Sequence, residues 1–280
     1  MSTPKIWSET VQQRLAAALI EHAPAGPQTE SHLRVSINET AASPGKLFRA
    51  RLVFATTKAH AIDETIGITL ATAVEYFHVA SLLLDDLPCM DDAETRRGRP
   101  CTHRVHGEAT AILAALAFIN RAYALVGFAL VDQPAAIRLQ MQSCLDAGLG
   151  SAGLVDGQAR DLGFALSDRS SREVARIALA KTGAMLWLGL LFPAFLAAPS
   201  KREARALEAL CLYWTLAFSA RAPRSFLARI RAGCSPSVAR NSGWEAFSKP
   251  RTASRMGASS CRSPWRRRFS TGARHPPSSW

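Results

Sequence analysis

Paired C-x-x-C spacing is missing from the six cysteines of this 280-residue chain, at positions 89, 101, 144, 211, 234 and 261. That excludes the usual zinc and disulfide frameworks. No secretory leader opens the sequence, so a reducing cytoplasm is the expected compartment. Long apolar runs are also lacking. Residues 183–198 are continuously apolar, but such a run is shorter than the roughly 18–20 residues a spanning helix needs. Residues 109–131 are interrupted by Asn120 and Arg121, so no membrane span is expected. Alternating β-branched runs are scarce and internal repeats are absent, which disfavours sheets and solenoids.

An excess of one charge is likewise absent from most of the chain. The net +12 sits in residues 219–280, which hold 13 Lys and Arg against Glu245 alone. That segment also carries 13 Ser and 6 Pro with few large apolar residues, a composition expected to be disordered. Nothing in it resembles a nucleic-acid reader motif, so nucleic acid is not an expected partner. Upstream, Ala- and Leu-rich stretches with charges at helical spacing predict an all-α domain over 1–218. Helices are expected near 5–21, 30–41, 46–60, 62–87, 106–130, 134–162, 171–197 and 201–218.

Chemistry is concentrated in His78–His103, where four aspartates crowd into eight positions directly after an apolar helix. Asp85 and Asp86 fall in its last turn, because Pro88 cannot donate an amide proton and disfavours helix at Leu87. Asp91 and Asp92 then come from the following loop, and the four carboxylates are expected to converge. Hard oxygen ligands without neighbouring His or Cys suit Mg²⁺, shared between carboxylates and substrate phosphates. Arg96, Arg97 and Arg99 follow, and guanidinium forks match phosphate oxygens. Carboxylates, metal and arginines together point to a diphosphate; the plain alternative is a solvated acidic helix end followed by a basic turn.

The run DDLPCMDD followed by RRGRP resembles the first aspartate-rich motif of trans-isoprenyl diphosphate synthases, most closely the bacterial geranylgeranyl diphosphate synthases. Gly45-Lys46-Leu47-Phe48-Arg49 is similar to the family's GKxxR, Gly157-Gln158 with Asp161 to its GQxxD, and Lys181-Thr182-Gly183 to its KTG. The resemblance implies an isoprenoid-synthase helical bundle. It also implies an Mg²⁺-dependent condensation of isopentenyl diphosphate with an allylic diphosphate, in a homodimer.

Carried over position by position, Asp85 and Asp91 would bind Mg²⁺ and Arg96 the allylic diphosphate. Lys46, Arg49, His78 and Arg97 would hold isopentenyl diphosphate, while Lys181, Thr182 and Gln158 would line the allylic side. Catalytic positions are thereby assigned to Asp85, Asp86, Lys181 and Thr182. His78 lies two helical turns before Asp85 on the same face. Ser81 lies one turn before Asp85 and Ala80 one position round, both small. In the family an aromatic near this level shortens the product, so their size implies a twenty-carbon chain.

The resemblance stops at Phe218. Ala222 and Pro223 stand where the family has a second aspartate pair, and no Asp occurs after Asp168. A frameshifted or rearranged 3′ end is the expectation, leaving the bundle C-terminally incomplete and its activity impaired. A catalytically inactive or regulatory subunit is the alternative. A terpene cyclase is a further one, opposed by Lys46, Arg49, Arg96 and Arg97, which offer cations for two diphosphates rather than one.

Overall fold

A computed structural model describes residues 9–163 and 170–220; the basic segment expected to be disordered lies outside the described residues beyond Ala220. Among these residues the chain is almost wholly helical and forms two compact units.

The first unit comprises residues 1–142 and 185–213. Its helices are α1 (Glu9–Glu21), α2 (Ser31–Ala41), α3 (Phe48–Ala59), α4 (Glu64–Asp85), α5 (Thr102–His106) and α6 (Glu108–Ala129), with the start of α7 (Ala135–Leu149). Helix α4 is its axis, packed by α1, α3 and α6. Leu70, Val74 and Tyr76 of α4 are buried with Leu15, Val53 and Phe118 from those neighbours. Side chains define the helix starts: Asp63 accepts from the Thr65 and Ile66 amides to begin α4, and Glu30 from His32 and Leu33 to begin α2. The Tyr76 hydroxyl donates to the Leu19 carbonyl at 2.6 Å, satisfying an acceptor in the last turn of α1.

Among the described residues the second unit comprises 143–163, 170–184 and 214–220. It contains α8 (Leu154–Leu162), α9 (Ser171–Ala178) and a π-helical turn, Leu179–Gly183. Packing there is close, since a Cβ on Gly157 would lie 2.7 Å from the Lys181 amide nitrogen. Along the chain follow α10 (Ala184–Ala194), a 3₁₀ turn (Phe195–Ala197) and α11 (Lys201–Ala220).

Several expected boundaries are corrected. The single helix expected over 134–162 is two, α7 and α8. Three glycines fall in Gly148–Gly153, and a Cβ on Gly153 would sit 2.2 Å from the Gly148 carbonyl oxygen, so only glycine allows the turn. The segment expected over 106–130 is divided at Gly107, whose φ is 84°. Helix α3 starts at Phe48 rather than 46, leaving Lys46 ahead of it. Two strands, β1 (Thr95–Arg96) and β2 (Arg99–Pro100), form a small antiparallel ladder that was not expected.

Membrane spans were also not expected, yet by length and composition three helical stretches are sufficient: Glu64–Asp85, Glu108–Ala129 and Arg172–Ala197. The expectation judged uninterrupted apolar runs, whereas helices tolerate charges such as Arg121, which donates to the His22 carbonyl at 3.0 Å. The first and third stretches bury 67% and 72% of their most apolar windows inside the protein, so that apolarity fills the core.

Candidate active site

Helix α4 ends where Pro88 forbids continuation, and the chain folds back over its last carbonyls. The Asp91 amide donates to the Asp85 carbonyl at 2.9 Å, and the Ala93 amide to the Asp86 carbonyl at 3.2 Å. These bonds satisfy acceptors that a helix end leaves open, and they bring Asp91 beside Asp85. The ladder β1–β2 follows, closed by Arg97 (φ 55°) and Gly98 (φ 77°), the two left-handed positions of a tight hairpin turn.

That hairpin aims Arg96 at Asp86. The Arg96 Nε donates to both Asp86 carboxylate oxygens at 2.7 and 2.8 Å, and its terminal nitrogen closes a second arm of the fork. Asp86 is buried, and its hydrogen bonds push the Arg96 pKa further up, so the guanidinium stays charged. Beside it, burial and then Asp86 push the Cys101 thiol up to about 11. Asp92, in a left-handed conformation, faces Arg104 at 3.3 Å. The expected convergence of four carboxylates is therefore corrected: two are taken by arginines. Among the described residues no group of three or more His, Cys, Asp or Glu side chains converges as a metal cage. Asp85 and Asp91, joined through that backbone bond, carry the two carboxylates whose chemistry suits Mg²⁺, which takes hard oxygens together with waters and phosphates.

A cationic cluster lies on the same unit. The Arg49 guanidinium meets His78 Nε2 at 3.0 Å. Burial first, then Arg49, Arg97 and Arg96, hold the His78 pKa well below the ordinary value, so the ring is neutral and accepts this bond. Arg97 lies over Gly45, where a Cβ would fall 2.1 Å from its guanidinium. Arg49, His78 and Arg97 thus come together, with Arg49 half-buried. Lys46 is exposed. Ala80 is buried, and Ser81 is half-buried with its hydroxyl donating to the His78 carbonyl at 2.8 Å.

In the second unit Lys181 stands on the π turn and donates to Asp161 at 3.0 Å. Thr182 follows it, while Gln158 lies on α8 beside Gly157. The turn's wider winding departs from an α-helix at the KTG segment, a place where π turns often accompany function.

Sequence reasoning missed Glu75, a buried residue of α4 whose carboxylate accepts from the Ala50 amide in the first turn of α3. The signal was available: Glu75 precedes His78 by three residues on one helix face.

An all-helical domain with paired carboxylates at the end of a core helix, and guanidiniums gathered beside them, defines the isoprenoid-synthase class. Comparison with known proteins bears this out. The model of the polyprenyl synthetase family matches residues 30–221. The chain is 35% identical over 218 residues to the geranylgeranyl diphosphate synthase of Pseudescherichia vulneris, covering 76% of this chain and 68% of the relative. It is 35% identical over 179 residues to the farnesyl diphosphate synthase of Geobacillus stearothermophilus, covering 63% of this chain and 60% of that one. A crystal structure of Helicobacter pylori geranyltransferase complexed with magnesium and isoprenyl diphosphate superposes with a TM-score of 0.68 at 26% identity, over 78% of this chain and 74% of that one. The chain belongs to the polyprenyl synthetase family.

Proposed function

We propose that this chain is an Mg²⁺-dependent prenyltransferase that joins isopentenyl diphosphate to an allylic diphosphate, with geranylgeranyl diphosphate as product. The observation that carries the reading is the Arg49–His78–Arg97 cluster, set on the same unit as the Asp85–Asp91 pair. One polyanion needs the cations, and the other needs a metal-loaded carboxylate pair.

Arg49, Arg97, Lys46 and His78 bind isopentenyl diphosphate, with neutral His78 keeping Arg49 oriented. Asp85 and Asp91 hold Mg²⁺, which when bound supplies the positive charge that lets the allylic diphosphate leave. The new carbon–carbon bond forms between the allylic carbon and the isopentenyl double bond, and a proton is then lost. Arg96 binds the departing diphosphate while fixed by Asp86. The small size of Ala80 and Ser81 supports a twenty-carbon product; relatives of both the geranylgeranyl and farnesyl kinds match this chain.

Turnover is expected to be weak, because residues 169–280 contain no Asp to furnish a second carboxylate wall. The same observation favours a second reading, a catalytically inactive subunit regulating an intact synthase. A homodimer is part of the proposal: Ile112, Leu116 and Tyr123 of α6 are exposed along one helical face. A cytoplasmic location rests on the cysteine spacing.

The test is incubation of the full chain with Mg²⁺, isopentenyl diphosphate and farnesyl diphosphate, followed by chromatography of the products. A twenty-carbon diphosphate made by the parent and not by Asp85→Ala supports the enzyme reading. Absence of product, with stimulation or inhibition of an intact synthase on mixing, supports the regulatory one.

A further inference from the structure

Helix α3 begins without help from its own neighbours. Its N-cap, Leu47, has a left-handed backbone (φ 50°) and no side-chain oxygen to accept the first amides. Open amides at a buried helix start are costly, so an acceptor must come from elsewhere. It comes from α4: the Glu75 carboxylate accepts from the Ala50 amide at 3.4 Å. Glu75 is only 3% exposed, and a carboxylate there needs charge compensation.

Compensation comes from the same turn of α3. Burial pushes the Glu75 pKa up, and Arg49 is the chief opposing influence, followed by the Ala50 amide and Arg97. Reciprocally, burial lowers the Arg49 pKa and Glu75 restores it, while Arg97 lowers it further. Arg49 in turn donates to His78, one helical turn beyond Glu75 on α4. The first turn of α3 is thus tied twice to α4, by the Ala50 amide on Glu75 and by Arg49 on His78, with both arginine charges offsetting the burial of the Glu75 carboxylate. Without it, Arg49 and Arg97 would repel each other beside a desolvated ring.

We propose that Glu75 is a positioning residue for isopentenyl diphosphate: it caps α3 from outside and neutralises the arginine pair, presenting Arg49 and Arg97 to the substrate's diphosphate. This rests on the function proposed above. Glu75 does not touch substrate; it acts through Arg49.

The test compares the full-length parent with Glu75→Gln and Glu75→Asp. Calorimetry with isopentenyl diphosphate reads one side of the reaction, and a non-hydrolysable farnesyl diphosphate analogue the other. Glu75→Gln keeps shape and an acceptor for the Ala50 amide but loses the charge. Its affinity for isopentenyl diphosphate is expected to fall about tenfold, because the arginine pair loses the charge that offsets its repulsion, with the allylic analogue unaffected. Glu75→Asp is expected to recover part of that loss. Equal affinity in parent and Glu75→Gln, or equal losses for both ligands, would overturn the proposal.

A second arm needs no ligand. Labelling of arginines with phenylglyoxal, located by mass spectrometry, should modify Arg49 several-fold faster in Glu75→Gln than in the parent, with Arg121 unchanged. Unaltered Arg49 labelling sinks the positioning role whatever the substrate proves to be. Failure of the parent to bind isopentenyl diphosphate, with Arg49 labelling still accelerated, sinks instead the functional reading on which the substrate rests.

Discussion

Replacing Gly45 by alanine tests the cationic cluster through a single methyl group. A Cβ at that position would sit 2.1, 2.2 and 2.4 Å from three atoms of the Arg97 guanidinium, distances that no real contact sustains. The obstruction is the far end of a flexible, exposed side chain, so Arg97 swings away and the backbone need not move. Stability should therefore change by less than about 0.5 kcal/mol, as at ordinary surface sites. Binding should not be spared. In the proposed cradle Arg97 would supply charge-assisted hydrogen bonds worth about 1.5–3 kcal/mol, and each 1.4 kcal/mol is a factor of ~10 in affinity. The affinity of Gly45→Ala for isopentenyl diphosphate, measured by calorimetry, should thus fall roughly 10- to 150-fold. A double-mutant cycle sharpens the test. Arg97→Ala alone should cost a similar amount, and the two changes together little more than either, because they remove one interaction. Undiminished affinity in Gly45→Ala, or losses that add, would refute the placement of Arg97 in the cradle.

Three further outcomes follow from the packing and charge. Tyr76→Phe leaves the Leu19 carbonyl without its 2.6 Å donor inside the core and should destabilise the chain by about 1–2 kcal/mol in urea melts. Gly157→Ala would press a methyl against the Lys181 amide nitrogen at 2.7 Å and the Ala180 carbonyl carbon at 2.9 Å, backbone that cannot yield cheaply. A loss of about 1–3 kcal/mol is expected, with displacement of the π turn. His78 has a folded pKa depressed below its unfolded value of 6.5. The unfolded chain therefore binds the proton first, and stability falls as pH drops below about 6.5 towards the folded pKa. In His78→Gln this acid limb should flatten by up to about 1.4 kcal/mol per pH unit, one proton's worth, as read by urea midpoints between pH 7 and 5.

Helix-forming stretches and the aspartate-rich loop were legible because they depend on local rules: periodicity, capping residues and Pro88. Asp63 before Glu64 announces α4, and Pro88 stops it after Asp85 and Asp86. Which carboxylate does what was not legible. Adjacent aspartates look equivalent in sequence, but the Arg97–Gly98 turn directs Arg96 onto the Asp86 carboxylate, while the folded-back chain bonds the Asp91 amide to the Asp85 carbonyl. The ladder escaped notice because two-residue strands have no periodicity, although Arg-Gly at positions of left-handed backbone is a turn signal. Glu75 escaped because a lone glutamate in an apolar helix announces burial without naming its partner; Arg49 is distant in sequence and reaches it only through the packing of α3 on α4. The division at Gly150–Gly153 shows the opposite case, a local signal outweighed in the reading by the helical periodicity on either side.

Acid lability offers the most direct test of prenyl transfer: isopentenyl diphosphate is stable in acid, whereas an allylic diphosphate product is not. The full chain should be incubated with Mg²⁺, farnesyl diphosphate and carbon-labelled isopentenyl diphosphate, quenched in acid and extracted. Slow, time-dependent passage of label into the organic phase, abolished in Asp85→Ala, is the result predicted. No transfer of label and no measurable binding of isopentenyl diphosphate by the folded parent would contradict it.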